Sequence, residues 1–132
     1  MTPKRIQRKR TKGWKMPTNT ISVTRPGKWG NPFKVGGTIL YDNIIEEINT
    51  SQLAVDYFEN GIKFYGSPVT KEQIKKELKG KNLACWCKIV DKNDNYMPCH
   101  ADILLSLANN LTLKQVKNEN IRQEKLLQKG GI

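Results

Sequence analysis

No periodic element can hold Thr24-Arg25-Pro26-Gly27-Lys28-Trp29-Gly30-Asn31-Pro32-Phe33, where two prolines, two glycines and an asparagine fall within ten residues. Proline lacks the N–H that a helix or ladder needs, and glycine loses the most backbone freedom on folding, so the segment must be an irregular loop. Pro26-Gly27 is the pairing of a type II turn, with φ fixed at the first central residue and positive φ open to the second. Pro32 biases Asn31 toward extended backbone. A loop that carries Arg25, Lys28, Trp29 and Phe33 either holds a ligand or uses its aromatics to cap the core.

The flanking sequence sets this loop at a strand end. Thr20 to Thr24 alternates and is β-branched, which predicts a strand delivering Arg25 to the place where open α/β sheets build ligand sites. Gly36-Gly37 marks a turn; Thr38 to Tyr41 reads as a short strand or the entry to a helix, and Ile44 to Ile48 as a brief helical turn. Ser51 reads as the N-cap of a helix through Asn60, with Ala54, Val55 and Phe58 on one face and Gly61 as its stop. Thr70-Lys71-Glu72-Gln73 is a capping box, Val69 and Ile74 have staple spacing, and Gly80 ends the helix. Lys81 to Cys87 is short and apolar, as a buried strand is. After the polar segment Lys88 to Pro98, Cys99-His100-Ala101-Asp102 opens a helix with Ile103, Leu104, Leu107, Ala108 and Leu111 on its inner stripe.

This order predicts an α/β fold, a small single-domain layered sheet (Rossmann-like) with flanking helices and basic terminal extensions. The expected division is a basic mobile arm over residues 1–15, the α/β domain over 16–110, and a basic helical or flexible tail over 111–132. A chain of 132 residues has room for one modest core. No apolar run is long enough to span a bilayer and the N-terminus lacks a secretory apolar stretch, so the expectation is a cytoplasmic protein with no membrane partner.

The net charge of +11 is unevenly spread. Residues 1–15 carry seven basic side chains and no acid, whereas residues 16–110 carry eleven basic and ten acidic. Charge gathered at the ends predicts contact with a polyanion, through Arg5, Arg8, Lys9, Arg10 and Lys12 with Trp14 at the edge of the run. Solubilising ends are the plainer alternative.

Three cysteines, an odd number, argue against a disulfide framework. Cys85, Cys87, Cys99 and His100 make up a three-sulfur, one-nitrogen structural zinc set. The spacing argues against it, because Cys-Trp-Cys leaves one intervening residue and Cys99-His100 none. The expectation is therefore no cofactor, with structural zinc as the alternative and small buried thiols as the bland reading. A reactive reading also stands, with Cys99 near a helix N-terminus and His100 as its neighbour.

Three blocks, Arg25 to Phe33, Gly80 to Cys87 and Cys99 to Leu104, resemble in order an uncharacterised family, domain of unknown function 4326, over about residues 10 to 110. Lys12-Gly13-Trp14-Lys15-Met16-Pro17 fits the same pattern, whereas the segment between Cys87 and Cys99 is longer and the tail beyond Asn110 departs from it. The resemblance implies a compact domain with a shared site, of a kind many of whose members look phage- or bacterium-borne, and implies no reaction.

The function expected from these residues is binding of a nucleotide or nucleic acid. Arg25 would grip phosphate, Lys28 add a point charge, Trp29 wall the pocket and Asn31 read a polar edge. Nucleotide processing, if any, would fall to His100 or Asp102 as acid–base groups, because the chain carries no P-loop, paired-carboxylate metal site or Ser-His-Asp order. The alternative is a phage-type interaction protein that binds and inhibits a host protein or nucleoprotein. The first reading requires Arg25, Lys28, Trp29, Asn31 and His100 around one cleft.

Overall fold

The computed structural model describes residues 2–130. In chain order the elements are β1 (Arg5–Gln7), β2 (Thr20–Ser22), β3 (Thr38–Tyr41), β4 (Ile44–Glu47), α1 (Ser51–Asn60), α2 (Lys71–Leu78), β5 (Asn82–Cys85), α3 (His100–Asn109) and α4 (Leu113–Gly130). The layered α/β architecture expected from the sequence is the one that forms.

Its centre is a three-stranded parallel sheet in the order β1-β5-β2. Central β5 reads Asn-Leu-Ala-Cys and buries Leu83, Ala84 and Cys85, the uninterrupted apolar run of a strand covered on both faces. Arg5 and Ile21 both register with Leu83. The ladder continues past the strands, with Arg8 N–H donating to Cys85 O at 2.7 Å and Val23 N–H to Ala84 O at 2.9 Å. Helix α3 contacts β5, α1, α2 and α4, and contributes buried Ala101, Ile103, Leu104, Leu105 and Ala108.

Several expectations are corrected. Residues 1–15 are not a mobile arm throughout, because residues 5–7 form an edge strand whose neighbour Lys4 O accepts from Leu83 N–H at 3.0 Å. Arg5 is 3% exposed and does not face solvent as a nucleic-acid arm residue would. Ile44 to Glu47 is a strand of an antiparallel hairpin with β3, because Asp42 and Asn43 both take left-handed backbone (φ 49° and 61°), the geometry of a tight hairpin turn. Thr50, rather than Ser51, caps α1 by accepting from Leu53 N–H at 3.0 Å. Helix α1 ends at Asn60 with Gly61 at its C-cap, as expected, but a π-helical turn, Gly61–Tyr65, continues from it.

The capping box at Thr70 is formed, with Gln73 N–H donating to Thr70 Oγ1 at 3.2 Å and Thr70 N–H to Gln73 Oε1 at 3.0 Å. Helix α4 follows a similar reciprocal pair between Thr112 and Gln115 and docks through buried Val116 and Asn120. Among the described residues no helix is long and apolar enough to cross a membrane.

Candidate functional site

A cleft of about 240 Å³ opens at the carboxyl ends of β2 and β5. Its walls come from the Thr24–Val35 loop, the segment Cys85–Cys87, the start of α1 at Ser51 and the start of α3 at Pro98, Cys99 and His100. Arg25 and Lys34 line it, and no Asp or Glu does among the described residues. The partial positive charge of two helix N-termini, α1 and α3, therefore adds to two cations with nothing to oppose it.

The loop is not the type II turn expected from Pro26-Gly27. Gly27 N–H closes onto Thr24 O at 3.0 Å around a cis Arg25-Pro26 bond, which places proline at the third position of the turn. Gly30 N–H then closes onto Gly27 O at 3.0 Å. Gly30 is required by proximity, since a Cβ there would lie 2.9 Å from Arg25 Cα. Arg25 Nη1 donates to Asn31 O at 2.8 Å, so the loop orients its own cation.

The loop residues split between two faces. Lys28 pairs with Glu77 at 2.8 Å and lies over the Trp29 ring, and neither Lys28 nor Trp29 lines the cleft. Trp29 is buried in the core cluster. Asn31 does line the cleft, but its amide is committed internally: Nδ2 donates to Ala54 O at 3.1 Å and Oδ1 accepts from Phe33 N–H at 2.9 Å. These two bonds shape the loop and use one donor and one lone pair of the amide. Of the five residues expected around one cleft, Arg25, Asn31 and His100 meet there.

His100 Nε2 lies 2.8 Å from Val23 O and 3.0 Å from Trp29 O. Both partners only accept, so Nε2 carries the proton and Nδ1 keeps its lone pair, 3.5 Å from Cys99 Sγ. Burial pushes the imidazole below its ordinary range and keeps it neutral. The Cys85, Cys87 and Cys99 sulfurs lie within 4.8 Å of one another, and Cys85 and Cys99 are 3.3 Å apart. The spacing that argued against metal is thus no obstacle: Cys85 ends β5, Cys87 lies just beyond it, and the long following segment returns Cys99 to both. His100 is not one of the three clustered ligands, but its Nδ1 lies 3.5 Å from Cys99 Sγ while Nε2–H is anchored on two carbonyls. Hydrogen bonds from Cys85 and Cys87 hold the Cys99 thiol well below its usual range, assisted by Arg5, and hydrogen bonds with Cys87 and Cys99 push Cys85 up.

Asp102 belongs elsewhere. Arg5 Nη1 lies 3.3 Å from each carboxylate oxygen, Tyr96 OH donates to them at 2.9 and 3.0 Å, and Asn120 Nδ2 donates at 3.3 Å. Arg5 Nη2 donates to Met97 O at 2.7 Å, and Asn120 Oδ1 accepts from Arg5 N–H at 2.8 Å. This enclosed cluster ties β1, the loop after β5, α3 and α4 together. Asp102 does not line the cleft, so the expected acid–base role rests on His100 alone.

Of the remaining basic residues, Arg8 and Arg10 each place the guanidinium carbon 4.4 Å from the Trp86 ring centroid, while Lys9 lines a second cavity and Lys12 is exposed. Lys34, Ser51 and Trp86 are cleft residues that pattern did not single out; Trp86, between two cysteines beyond a strand, offered the only signal.

The sequence profile described as Domain of unknown function (DUF4326) matches residues 6–110. The chain belongs to this family. No curated protein and no solved structure matches it at a significant level. The three blocks that carry the DUF4326 resemblance each supply cleft residues: Arg25, Asn31 and Phe33 from the first, Cys85 to Cys87 from the second, Cys99 and His100 from the third. Arg5 and Asn120, which complete the Asp102 cluster, fall outside the DUF4326 match.

Proposed function

We propose that the cleft binds a phosphate-bearing nucleotide unit presented on a nucleic-acid strand. The observation that carries this reading is the lining: Arg25, Lys34 and two helix starts, with no carboxylate among the described residues. Arg25 is oriented by Asn31 O, and its planar guanidinium suits a phosphate oxygen pair. Arg8 and Arg10, gathered on Trp86 at the cleft wall, extend the positive surface toward β1 and beside an aromatic face. A volume of about 240 Å³ suits one phosphate with its sugar, and the track of cations beside it favours a strand over a free nucleotide. His100, whose Nδ1 faces Cys99 Sγ at 3.5 Å in the cleft wall, would be the proton-transfer group in any processing step.

The test is a titration of the full chain with labelled single-stranded oligonucleotides at several salt concentrations, with a mononucleotide as competitor. Binding at low salt that weakens by about 0.7 in log–log slope for each phosphate neutralised supports the reading. A second reading, a protein-interaction domain of the host-binding kind, draws on the β3–β4 hairpin, where Leu40, Ile44 and Ile45 are 67%, 55% and 72% exposed. No oligonucleotide binding at low salt would favour it.

A further inference from the structure

Three sulfurs converge on the cleft from separate parts of the chain. Cys85 closes β5, Cys87 lies two residues on, and Cys99 precedes α3; their sulfurs all lie within 4.8 Å of one another. Packing accounts for Cys85 and Cys99, which are buried, but not for Cys87, which is exposed and outside the core cluster yet turns its sulfur to the other two. A ligand set accounts for all three.

The distances fit a soft divalent ion. Zinc held by sulfur at about 2.3 Å in a tetrahedron sets sulfurs about 3.8 Å apart. The Cys85–Cys99 pair, at 3.3 Å, needs to open by only about half an ångström to reach that edge. The surrounding charge suits thiolates. Arg5 acts on Cys85 and Cys99, Arg25 lines the same cleft, and the Asp102 carboxylate is compensated by Arg5, Tyr96 and Asn120.

We infer that Cys85, Cys87 and Cys99 bind one zinc-class divalent ion as thiolates. With its Nε2–H fixed on Val23 O and Trp29 O, His100 turns the lone pair of Nδ1 to within 3.5 Å of Cys99 Sγ, which makes it the candidate for the fourth position. Closed structural zinc sites use four protein ligands, whereas a three-ligand site takes water or a bound molecule in the fourth place. Binding displaces the thiol protons to solvent and leaves the metal oxidation state unchanged. The inference does not depend on the nucleic-acid reading, since it rests on the sulfurs alone.

The experiment titrates the full chain, reduced, stripped with a chelator and kept free of oxygen, with cobalt(II). The expected result is saturation at one cobalt per chain, with strong near-ultraviolet sulfur-to-cobalt absorption, visible bands of four-coordinate cobalt, and displacement by zinc. Cys87→Ser, at an exposed position, should keep the urea midpoint of the metal-free protein. It should lose about a third of the sulfur absorption, one thiolate of three. Its affinity should fall at least about tenfold, as even the loss of an outer partner can do. No cobalt uptake by the fully reduced chain, cobalt bound without sulfur absorption, or a Cys87→Ser protein that binds like the parent would each overturn the inference. Oligonucleotide binding is read separately, so either idea can fail alone.

Discussion

Within three positions at the start of α3, Cys99 and His100 face an open cleft while Asp102 is sealed in a cluster with Arg5, Tyr96 and Asn120. Around Asp102 the carboxylate oxygens, Tyr96 OH, the Asn120 amide and both Arg5 Nη groups have found internal partners, Arg5 Nε being the buried exception, and the carboxylate charge is answered by a guanidinium whose side chain is fully buried. Around the cleft the charges point outward: Arg25 and Lys34 line open space with no acid among the described lining residues. A satisfied buried network specifies a structure, whereas uncompensated charge on a concave surface awaits a ligand. The difference separates scaffold from site more cleanly than residue type does.

The sharpest way to break the comparison is Asp102→Ala. It strands the Arg5 guanidinium in the interior and should cost about 3–5 kcal/mol in urea unfolding. A loss under about 1 kcal/mol would mean that the cluster is not sealed. Gly30→Ala comes next. The new Cβ would lie 2.9 Å from Arg25 Cα, so we expect a loss of about 1–3 kcal/mol and weaker oligonucleotide binding together. Unchanged binding at reduced stability would show that Arg25 need not be held where the loop holds it. The smallest effect is expected from Lys28→Ala, which removes an exposed ion pair with Glu77; stability should move by less than about 1 kcal/mol and binding should stay unchanged. A clear loss of affinity there would place Lys28 at the site after all.

Local signals in the sequence located most elements. The Thr70 capping box, the apolar run of β5 and the stripe of α3 each specify their structure within a few residues, and each formed. Arg5 was not legible, because a lone Ile6 in a basic run gives no strand period; its burial depends on Asp102 and Asn120, about a hundred residues away. The β4 strand was misread for a related reason: Ile44-Ile45-Glu46-Glu47 has neither strand alternation nor helical spacing, and Asp42 and Asn43 in left-handed backbone decide it. At the site, Arg25 was legible from its place beyond a strand. The directions of Lys28 and Trp29 were not, since a loop without periodicity does not say which side chains turn inward. Read as a strand, Cys85-Trp86-Cys87 sets both sulfurs on one side, but β5 ends at Cys85 and the return of Cys99 to the pair is a tertiary fact.

The measurement that bears most directly on the split is the salt dependence of single-stranded oligonucleotide binding by a chain carrying both Arg25→Ala and Lys34→Ala. Lys34 lines open space and Arg25 gives up one hydrogen bond to Asn31 O, so the chain should stay folded with a loss of no more than about 3 kcal/mol. The log–log salt slope should become shallower by about 0.7 for each phosphate that the variant no longer neutralises. An unchanged slope and affinity in a stably folded double variant would contradict the assignment of the cleft as the binding site.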